Sequence, residues 1–390
     1  MAHRIADRAQ GLRQSDIRRF SAICAAMNGI NLSQGVCDQP APDVVKQAAR
    51  DAIDADHAVY TNLKGIIELR EAIARKMKAF NGIVADPERE IAVNVGTAGS
   101  FACVCMATLN PGDEVVVFAP FYSYHVGMIR LIGAEVRFVN THPPDWQYAD
   151  DELAAAFTDR TRMILVNTPA NPSGKVFTET ELKRIAELAT KHDAWIVTDE
   201  IYEYITHGKP HISVGRFPEA APRTITISGG SKTYAVTGWR VGYTVGPEEL
   251  IDKVACINDL LYICAPAPLQ HGITAGLALP DSYYHEMCED YRVKRDLMAE
   301  TLREIGFRPY VPDGSYYMLA DFGPGRYRDA THAAESILET TGVATVPGSA
   351  FYPNPADGET QLRFCYAKKM PELEEACRRL RKLRSGSTTQ

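Results

Sequence analysis

The chain lacks a basic excess. Its 390 residues carry 42 Lys and Arg against 49 Asp and Glu, a formal net charge of −7. That balance leaves no electrostatic footprint for sequence-independent grip on nucleic acid, so no nucleic-acid partner is expected. Long apolar runs are missing too. Nothing approaches the ~20 residues of a membrane-spanning helix, and no membrane association is expected. Cysteine is present without pattern: the nine residues, single apart from Cys103 and Cys105, argue against a disulfide framework and fit a reducing compartment. Cys103 and Cys105 lie in the apolar run Phe101–Leu109 with no partner cluster of ligand type, so no metal is expected. Residues 1–19 are charged throughout and lack the apolar middle of a signal peptide, which gives the expectation of a cytoplasmic protein. There is no internal repeat, no linker rich in Gly, Ser or Pro, and no low-complexity segment beyond the final SGSTTQ.

What is present is an ordinary globular composition. Apolar residues make up 45% and charged residues 23%, enough for sizeable cores, and at this length two domains are expected. Short runs rich in Val and Ile recur at Ile91–Val95, Glu114–Ala119, Glu135–Val139, Met163–Asn167, Trp195–Asp199, Thr224–Ser228 and Val241–Gly246. Longer stretches of helical pattern separate them: Ser100–Leu109, Tyr122–Ile132, Glu179–His192 and Glu248–Leu261. Strand and helix alternating at this spacing predict an α/β fold, a mostly parallel sheet covered by helices. After about residue 285 the texture changes. A charged helix, Tyr291–Ile305, leads to short strands around Ser315–Asp321 and Leu362–Tyr366, and a closing helix, Pro371–Ser385, ends in a basic turn that suits the helix dipole. The expected division is a large domain over 46–285 and a smaller α+β domain built from 1–45 together with 286–390.

The most informative segment is SGGSKTYAVTGWRVGY, Ser228–Tyr243. Gly229, Gly230 and Ser231 precede Lys232, so a bulky ligand can approach the backbone. Arg240 follows in the same compact stretch. A lysine that forms an imine needs an accessible, partly desolvated pocket, and a phosphorylated cofactor needs a guanidinium that pairs with phosphate oxygens. Lys232 and Arg240 meet both needs, although a Gly-rich loop with a surface lysine reads the same in isolation. A nucleotide P-loop is excluded, because its two obligatory glycines would fall at Ser231 and Thr226.

This segment resembles the lysine signature of class I aminotransferases, fold-type-I pyridoxal-phosphate enzymes. The resemblance extends in order from Asn31–Pro40 to Arg363. Gly230 departs from it, since the family usually carries a larger apolar residue there. The resemblance implies pyridoxal 5'-phosphate held on Lys232 as a Schiff base. In Asn167-Thr-Pro-Ala-Asn-Pro-Ser-Gly174, it makes Asn171 a hydrogen-bond donor to the cofactor's phenolic oxygen and part of the substrate site. In Thr198-Asp199-Glu200-Ile201-Tyr202, it pairs Asp199 with the pyridine nitrogen, which keeps the ring an electron sink. Tyr202 then joins Asn171 on the phenolic oxygen, and Glu200 is left as a structural carboxylate. Strand-end placement of Asp199 fits the usual ligand crevice of α/β sheets.

The turn Val95-Gly-Thr-Ala-Gly-Ser100 opens a helix, and small residues there expose backbone N–H groups as an anion site. By resemblance Thr97 and Ala98 hold the phosphate with Arg240. Some relatives carry Lys or Tyr at the place of Ala98, so one specificity clue is missing. Tyr122, in Phe118-Ala-Pro-Phe-Tyr-Ser-Tyr124, matches the ring laid flat on the pyridine. Tyr60 matches a tyrosine that reaches the partner subunit's phosphate, which implies a homodimer with composite active sites. Arg363, in Gln361-Leu-Arg-Phe-Cys365, matches the clamp on the substrate α-carboxylate, and Gly35 matches the glycine that closes on the same group. Cys37-Asp38-Gln39 stands where the family often has Pro-Asp-Phe. His207 and His211 are interrupted by Gly208 and Pro210, so no metal pair is expected.

These readings converge on an aminotransferase that moves an amino group from an L-amino acid to a 2-oxo acid, with Lys232, Asp199 and Tyr202 as its catalytic residues. A pyridoxal-phosphate lyase or racemase on the same scaffold is the alternative, although Thr237-Gly-Trp-Arg240 favours transamination. A cofactor-sensing regulator would need a DNA-binding module that the residues before Asn31 are too few to form. A scaffold role would leave Lys232, Asp199, Asn171 and Arg363 without reason to coexist.

Overall fold

The computed structural model describes residues 5–10 and 14–384. The SGSTTQ tail, and with it the expected end of the closing helix at Ser385, lies outside the described residues.

The Val- and Ile-rich runs form one sheet. Its strands are β1 (Ile91–Val95), β2 (Glu114–Ala119), β3 (Glu135–Asn140), β4 (Thr161–Asn167), β5 (Trp195–Asp199), β6 (Thr224–Gly229) and β7 (Val241–Val245), in the spatial order β1-β7-β6-β5-β4-β2-β3. β2 through β6 pair in parallel, and β7 runs antiparallel to both its neighbours, β6 and β1. This is the mostly parallel α/β sheet that the alternation predicts. A second sheet, β8 (Arg308–Tyr310), β9 (Tyr317–Asp321), β10 (Val346–Pro347) and β11 (Gln361–Cys365), is antiparallel in the order β10-β11-β9-β8.

The helices that pack on these sheets include α1 (Asp16–Ala26), α2 (Gly96–Thr108), α3 (Ser123–Leu131), α4 (Glu179–Lys191), α5 (Glu248–Tyr262), α6 (Asp281–Glu304), α7 (Ala330–Thr341) and α8 (Met370–Leu380). Successive strand residues point to opposite faces, so the parallel strands feed two cores. Val115, Val117, Leu165, Val197 and Ile225 pack with Val104 of α2, Ile129 of α3 and Val254 of α5. Val116, Phe118, Ile164, Val166 and Ile196 pack with Leu182 and Ile185 of α4. A sheet covered on both faces has no polar side, which is why β2 reads as an unbroken apolar run. α4 starts where a capping box closes its first turn: the Thr178 hydroxyl accepts from Glu181 N at 3.3 Å, and the Glu181 carboxylate accepts from Thr178 N at 2.8 Å. Such a cap contributes about 1 kcal/mol.

Around the second sheet, Phe20 and Cys24 of α1 and Leu32 pack with Met298 and Leu302 of α6, Ile337 of α7, Phe364 of β11 and Leu373 of α8. Ile30–Asn31 also pairs in parallel with Val343–Ala344. The N-terminal segment is thus woven into the core of the C-terminal elements.

α6 begins ten residues before its sequence reading, at Asp281 instead of Tyr291. Its first turns pack through tyrosines: Tyr283 and Tyr284 lie against the core around Tyr234, and the Tyr284 ring stacks on Tyr204 at 4.1 Å. The Tyr283 hydroxyl donates to Thr233 O at 2.6 Å, and the Tyr284 and Tyr234 hydroxyls lie 3.1 Å apart. The front of α6 therefore sits on the Lys232 turn while its far half lies in the C-terminal core. Among the described residues, no helix is long and apolar enough to cross a membrane.

Candidate active site

Parallel pairing aligns the C-terminal ends of the central strands. Asn167 at the end of β4 is in register with Asp199 at the end of β5, and β6 runs beside them into a four-residue helical turn, Gly230–Thr233. Lys232 is on that turn. These ends open on a cavity of about 550 Å³ whose wall also holds Gly35, Thr97, Ala98, Tyr122, Asn171 and Tyr202. Arg240 and Arg363 complete the set. The structure thus brings together every candidate of the sequence reading except Tyr60, which is 76% exposed and outside this wall.

Lys232 Nζ donates to Gly35 O at 2.9 Å, and the Tyr316 hydroxyl donates to the same carbonyl at 3.2 Å. Burial disfavours the ammonium and pushes its pKa down to about 8. Gly35 is required by packing: a Cβ there would fall 1.6 Å from the Tyr317 hydroxyl oxygen. The Tyr317 hydroxyl meets the Tyr202 hydroxyl at 3.0 Å, and burial raises the pKa of Tyr202 well above its ordinary value, so both stay protonated.

Asp199 is buried. One carboxylate oxygen lies 2.9 Å from His125 Nε2 and the other accepts from Ile201 N at 3.2 Å. His125, buried in α3, meets the Tyr122 ring edge-on at 5.2 Å. Asn167 donates to Asp199 O at 3.0 Å and accepts from Asn171 N at 2.8 Å, fixing two site loops at once. His125 and Asn167 were not singled out in the sequence. His125 stands three positions after Tyr122, the same-face spacing of a helix, and that was the one signal available. Asn167 merely opens the quoted Asn-Pro-Ser-Gly stretch.

At the opposite end of the turn, α2 presents its N-terminus. Val95 precedes it with no side-chain cap, so the first N–H groups of Gly96, Thr97 and Ala98 face outward without helical partners. Arg240 is laid against this end. A Cβ on Gly96 would fall 2.3 Å from Arg240 Nη2, and a Cβ on Gly242 would fall 2.6 Å from Thr97 N. Gly96 has φ +67°, and Arg240 itself adopts a left-handed φ of 56°. Arg240 spends one donor on Thr237 O at 2.9 Å and has no ion pair among the described residues. Helix end plus free guanidinium, with two glycines keeping the space open, is a cradle of the right chemistry for a phosphate. The lysine, the carboxylate and the ring of Tyr122 beside it match the remaining needs of a pyridoxal phosphate.

Arg363, on β11, is fully buried. Nη1 donates to Asn171 Oδ1 at 2.8 Å and Nη2 to Ser33 O, while Nε has no partner. No carboxylate pairs with it among the described residues. A buried guanidinium without a counter-ion is costly unless a ligand supplies one.

Two departures from the family pattern, and the His207 and His211 pair, have local explanations. The space that a larger residue would need at Gly230 is taken by Ile273, whose Cδ1 would lie 2.5 Å from a Cβ there. The Cys37-Asp38-Gln39 segment is fastened by the Tyr291 hydroxyl at 3.1 Å from Cys37 Sγ, by Lys368 at 3.4 Å from Asp38, and by Asp290 at 2.7 Å from Gln39. His207 and His211 serve different partners: His207 Nε2 lies 3.1 Å from Ser315 O, and His211 Nε2 lies 2.8 Å from the buried Glu200. Glu200, Glu203 and His211 do cluster, with Lys76 Nζ 2.5 Å from Glu203 supplying positive charge.

The sequence pattern of the family described as aminotransferase class I and II matches residues 27–380. A probable N-succinyldiaminopimelate aminotransferase, DapC, of Mycobacterium tuberculosis is 35% identical over 374 residues, covering 93% of this chain and 94% of that one. The aspartate/prephenate aminotransferase of Thermus thermophilus is 37% identical over 354 residues, 90% of this chain and 89% of that one. The solved structure of N-succinyldiaminopimelate aminotransferase from M. tuberculosis superimposes with a TM-score of 0.94 at 33% identity, covering 97% of this chain and 100% of that one. The chain belongs to the class I and II aminotransferase family and is a pyridoxal-phosphate-dependent aminotransferase, transferring an amino group from an amino acid to a 2-oxo acid.

Proposed function

We propose that Lys232 carries the cofactor and moves the substrate proton, and that Arg363 selects amino acids by their α-carboxylate. The observation that carries this reading is the buried, counter-ion-free guanidinium of Arg363 in the same cavity as the buried amine of Lys232. Pyridoxal 5'-phosphate, when bound, supplies an aldehyde that captures an amine and a ring that accepts an electron pair. Thr97 and Ala98 N–H groups and Arg240 hold its phosphate, and Tyr60 of a second subunit reaches the same phosphate. Tyr122, in the cavity wall, would stack on its ring. Asp199 keeps a proton on the ring nitrogen, and Tyr202 and Asn171 donate to the phenolic oxygen.

Arg363, backed by Asn171 and closed over by Gly35, fixes the α-carboxylate with two parallel hydrogen bonds, which set rotation as well as distance. Substrate Cα–H is thereby turned toward Lys232. With its pKa lowered to about 8, Lys232 Nζ is partly neutral near neutral pH and takes the proton from Cα. In the return half-reaction Lys232 would return a proton to the carbon that becomes Cα of the product, the aminated cofactor supplying nitrogen and electron pair and the oxo oxygen leaving as water.

The working protein is a cytoplasmic homodimer in this reading. Exposed Val59, Tyr60 and Leu63, and Leu260 to Ile263, support burial against a second copy. Residues 46–285 act as the cofactor-binding domain, and 1–45 with 286–390 as the domain that closes on substrate. Borohydride treatment of the holoenzyme should fix cofactor on the peptide that contains Lys232; label on any other lysine defeats the assignment. For the dimer, mixing Lys232→Ala with Tyr60→Ala subunits should restore part of the activity in one intact site per heterodimer, and proven exchange without restoration counts against shared sites.

A further inference from the structure

Two neighbouring arginines of α1 have opposite surroundings. Arg19 is held by Asp16 at 3.3 Å and by Glu335 at 3.0 Å. Arg18 is exposed, its guanidinium has no ion pair or hydrogen-bond partner among the described residues, and it lines the cavity that contains Lys232 and Arg363. The helix that carries it is fixed. Ile17 is packed in the core with Phe121 and Phe351. One turn on, the Ser21 and Ser33 hydroxyls are 3.1 Å apart, and Ser33 O in turn accepts from Arg363. The two guanidiniums therefore belong to one connected frame.

The charges on the cavity wall are unbalanced. Arg18, Lys232, Arg240 and Arg363 line it against a single acid, Asp199. A cofactor phosphate answers Arg240 and an α-carboxylate answers Arg363, which leaves Arg18 over. The wall also carries Val36, Phe101, Tyr124 and Met128, an apolar lining that suits methylene groups.

We propose that Arg18 is the residue that determines side-chain specificity, receiving the distal carboxylate of a dicarboxylic amino acid or 2-oxo acid. This rests on the reading that Arg363 holds the α-carboxylate. Because Arg18 is exposed, an uncharged side chain leaves it in water without a desolvation cost, so monocarboxylic substrates are not repelled. Selection arises from a gain for the dianion.

The test uses holoenzyme and two acceptors of similar length, 2-oxoglutarate and 2-oxohexanoate. Arg18→Gln should raise KM for 2-oxoglutarate by about tenfold, the scale of a charge-assisted hydrogen bond. It should leave kcat unchanged and KM for 2-oxohexanoate within about twofold. Arg18→Lys should recover most of the loss, and added salt should raise the 2-oxoglutarate KM of the wild type more than that of Arg18→Gln. Equal losses on both acceptors, no loss on either, or a wild-type enzyme without preference for the dianion overturns the proposal. Arg363→Lys, assayed beside them, should weaken both acceptors alike. If it spares both while Arg18→Gln acts selectively, the α-carboxylate assignment fails and the distal one stands.

Discussion

Asn171 and Arg363, 192 positions apart in the chain, are joined by a 2.8 Å hydrogen bond from guanidinium Nη1 to carboxamide Oδ1. Arginine can only donate, so the bond fixes which way the amide faces: its oxygen toward Arg363 and its NH2 free to donate. Asn171→Asp would put a carboxylate in that place. It would form the ion pair that Arg363 lacks and compete with substrate. KM for amino acids should rise by about tenfold or more, and further than in Asn171→Ala. Steady-state kinetics on both variants decide it, and an equal or smaller effect for Asp refutes the competition.

Arg363→Lys keeps the charge but loses the planar fork. The loss in kcat/KM for amino acids should be about 2–4 kcal/mol, with simple amines hardly affected. Half-reactions with both substrate types, run beside a melting curve, check this. Equal losses with a lowered Tm would instead mean that Arg363 is chiefly structural.

Lys232 gives a pH signature. In cofactor-free protein its acylation should be half-maximal near pH 8, where burial places its pKa, while solvated lysines follow at about 10.5. The unfolded chain keeps that proton to about pH 10.5 and the folded one releases it near 8. Between those values the unfolded state binds more protons, so this group makes stability rise with pH across the window. Lys232→Met should remove that rise. A labelling midpoint shared with the bulk lysines would contradict the burial account.

His125 Nε2 lies 2.9 Å from Asp199, and in the proposed reading it is a positioning residue that acts through that carboxylate. His125→Phe should retain cofactor yet lower kcat by about tenfold, the scale of a lost hydrogen bond to a charged group. KM should change little, and His125→Asn should recover part of the loss. Asp199→Ala should be far more severe. A His125→Phe enzyme with normal kcat would remove the imidazole from the account.

The sheet was legible because each strand is a short Val- and Ile-rich run stopped by Gly, Pro, Asn or Asp, as at Asn167 and Asp199. The limits of reading appear where tertiary needs override local preference. Gly96 and Gly99 look like loop, but α2 starts at Gly96, where any side chain would collide with the guanidinium of Arg240. The front of α6 escapes reading because its inward residues are tyrosines, Tyr283 and Tyr284, rather than an aliphatic stripe. Within the site, Lys232, Asp199 and Arg363 stand in dense motifs. His125, Asn167 and Tyr317 are ordinary residues whose meaning lies in partners far along the chain, and a single sequence carries no mark of that.

The position of α6 makes it a lever. Its 24 residues span about 36 Å at 1.5 Å per residue, with the fulcrum at Tyr283 on the Lys232 turn and the load at Met298 and Leu302 in the C-terminal core. From Tyr283 to Leu302 the arm is about 28 Å, so a tilt of about 5° displaces Leu302 by about 2.5 Å. An angular change of α6 at the Lys232 turn would therefore reach the core behind Phe364 of β11 as a shift of ångströms.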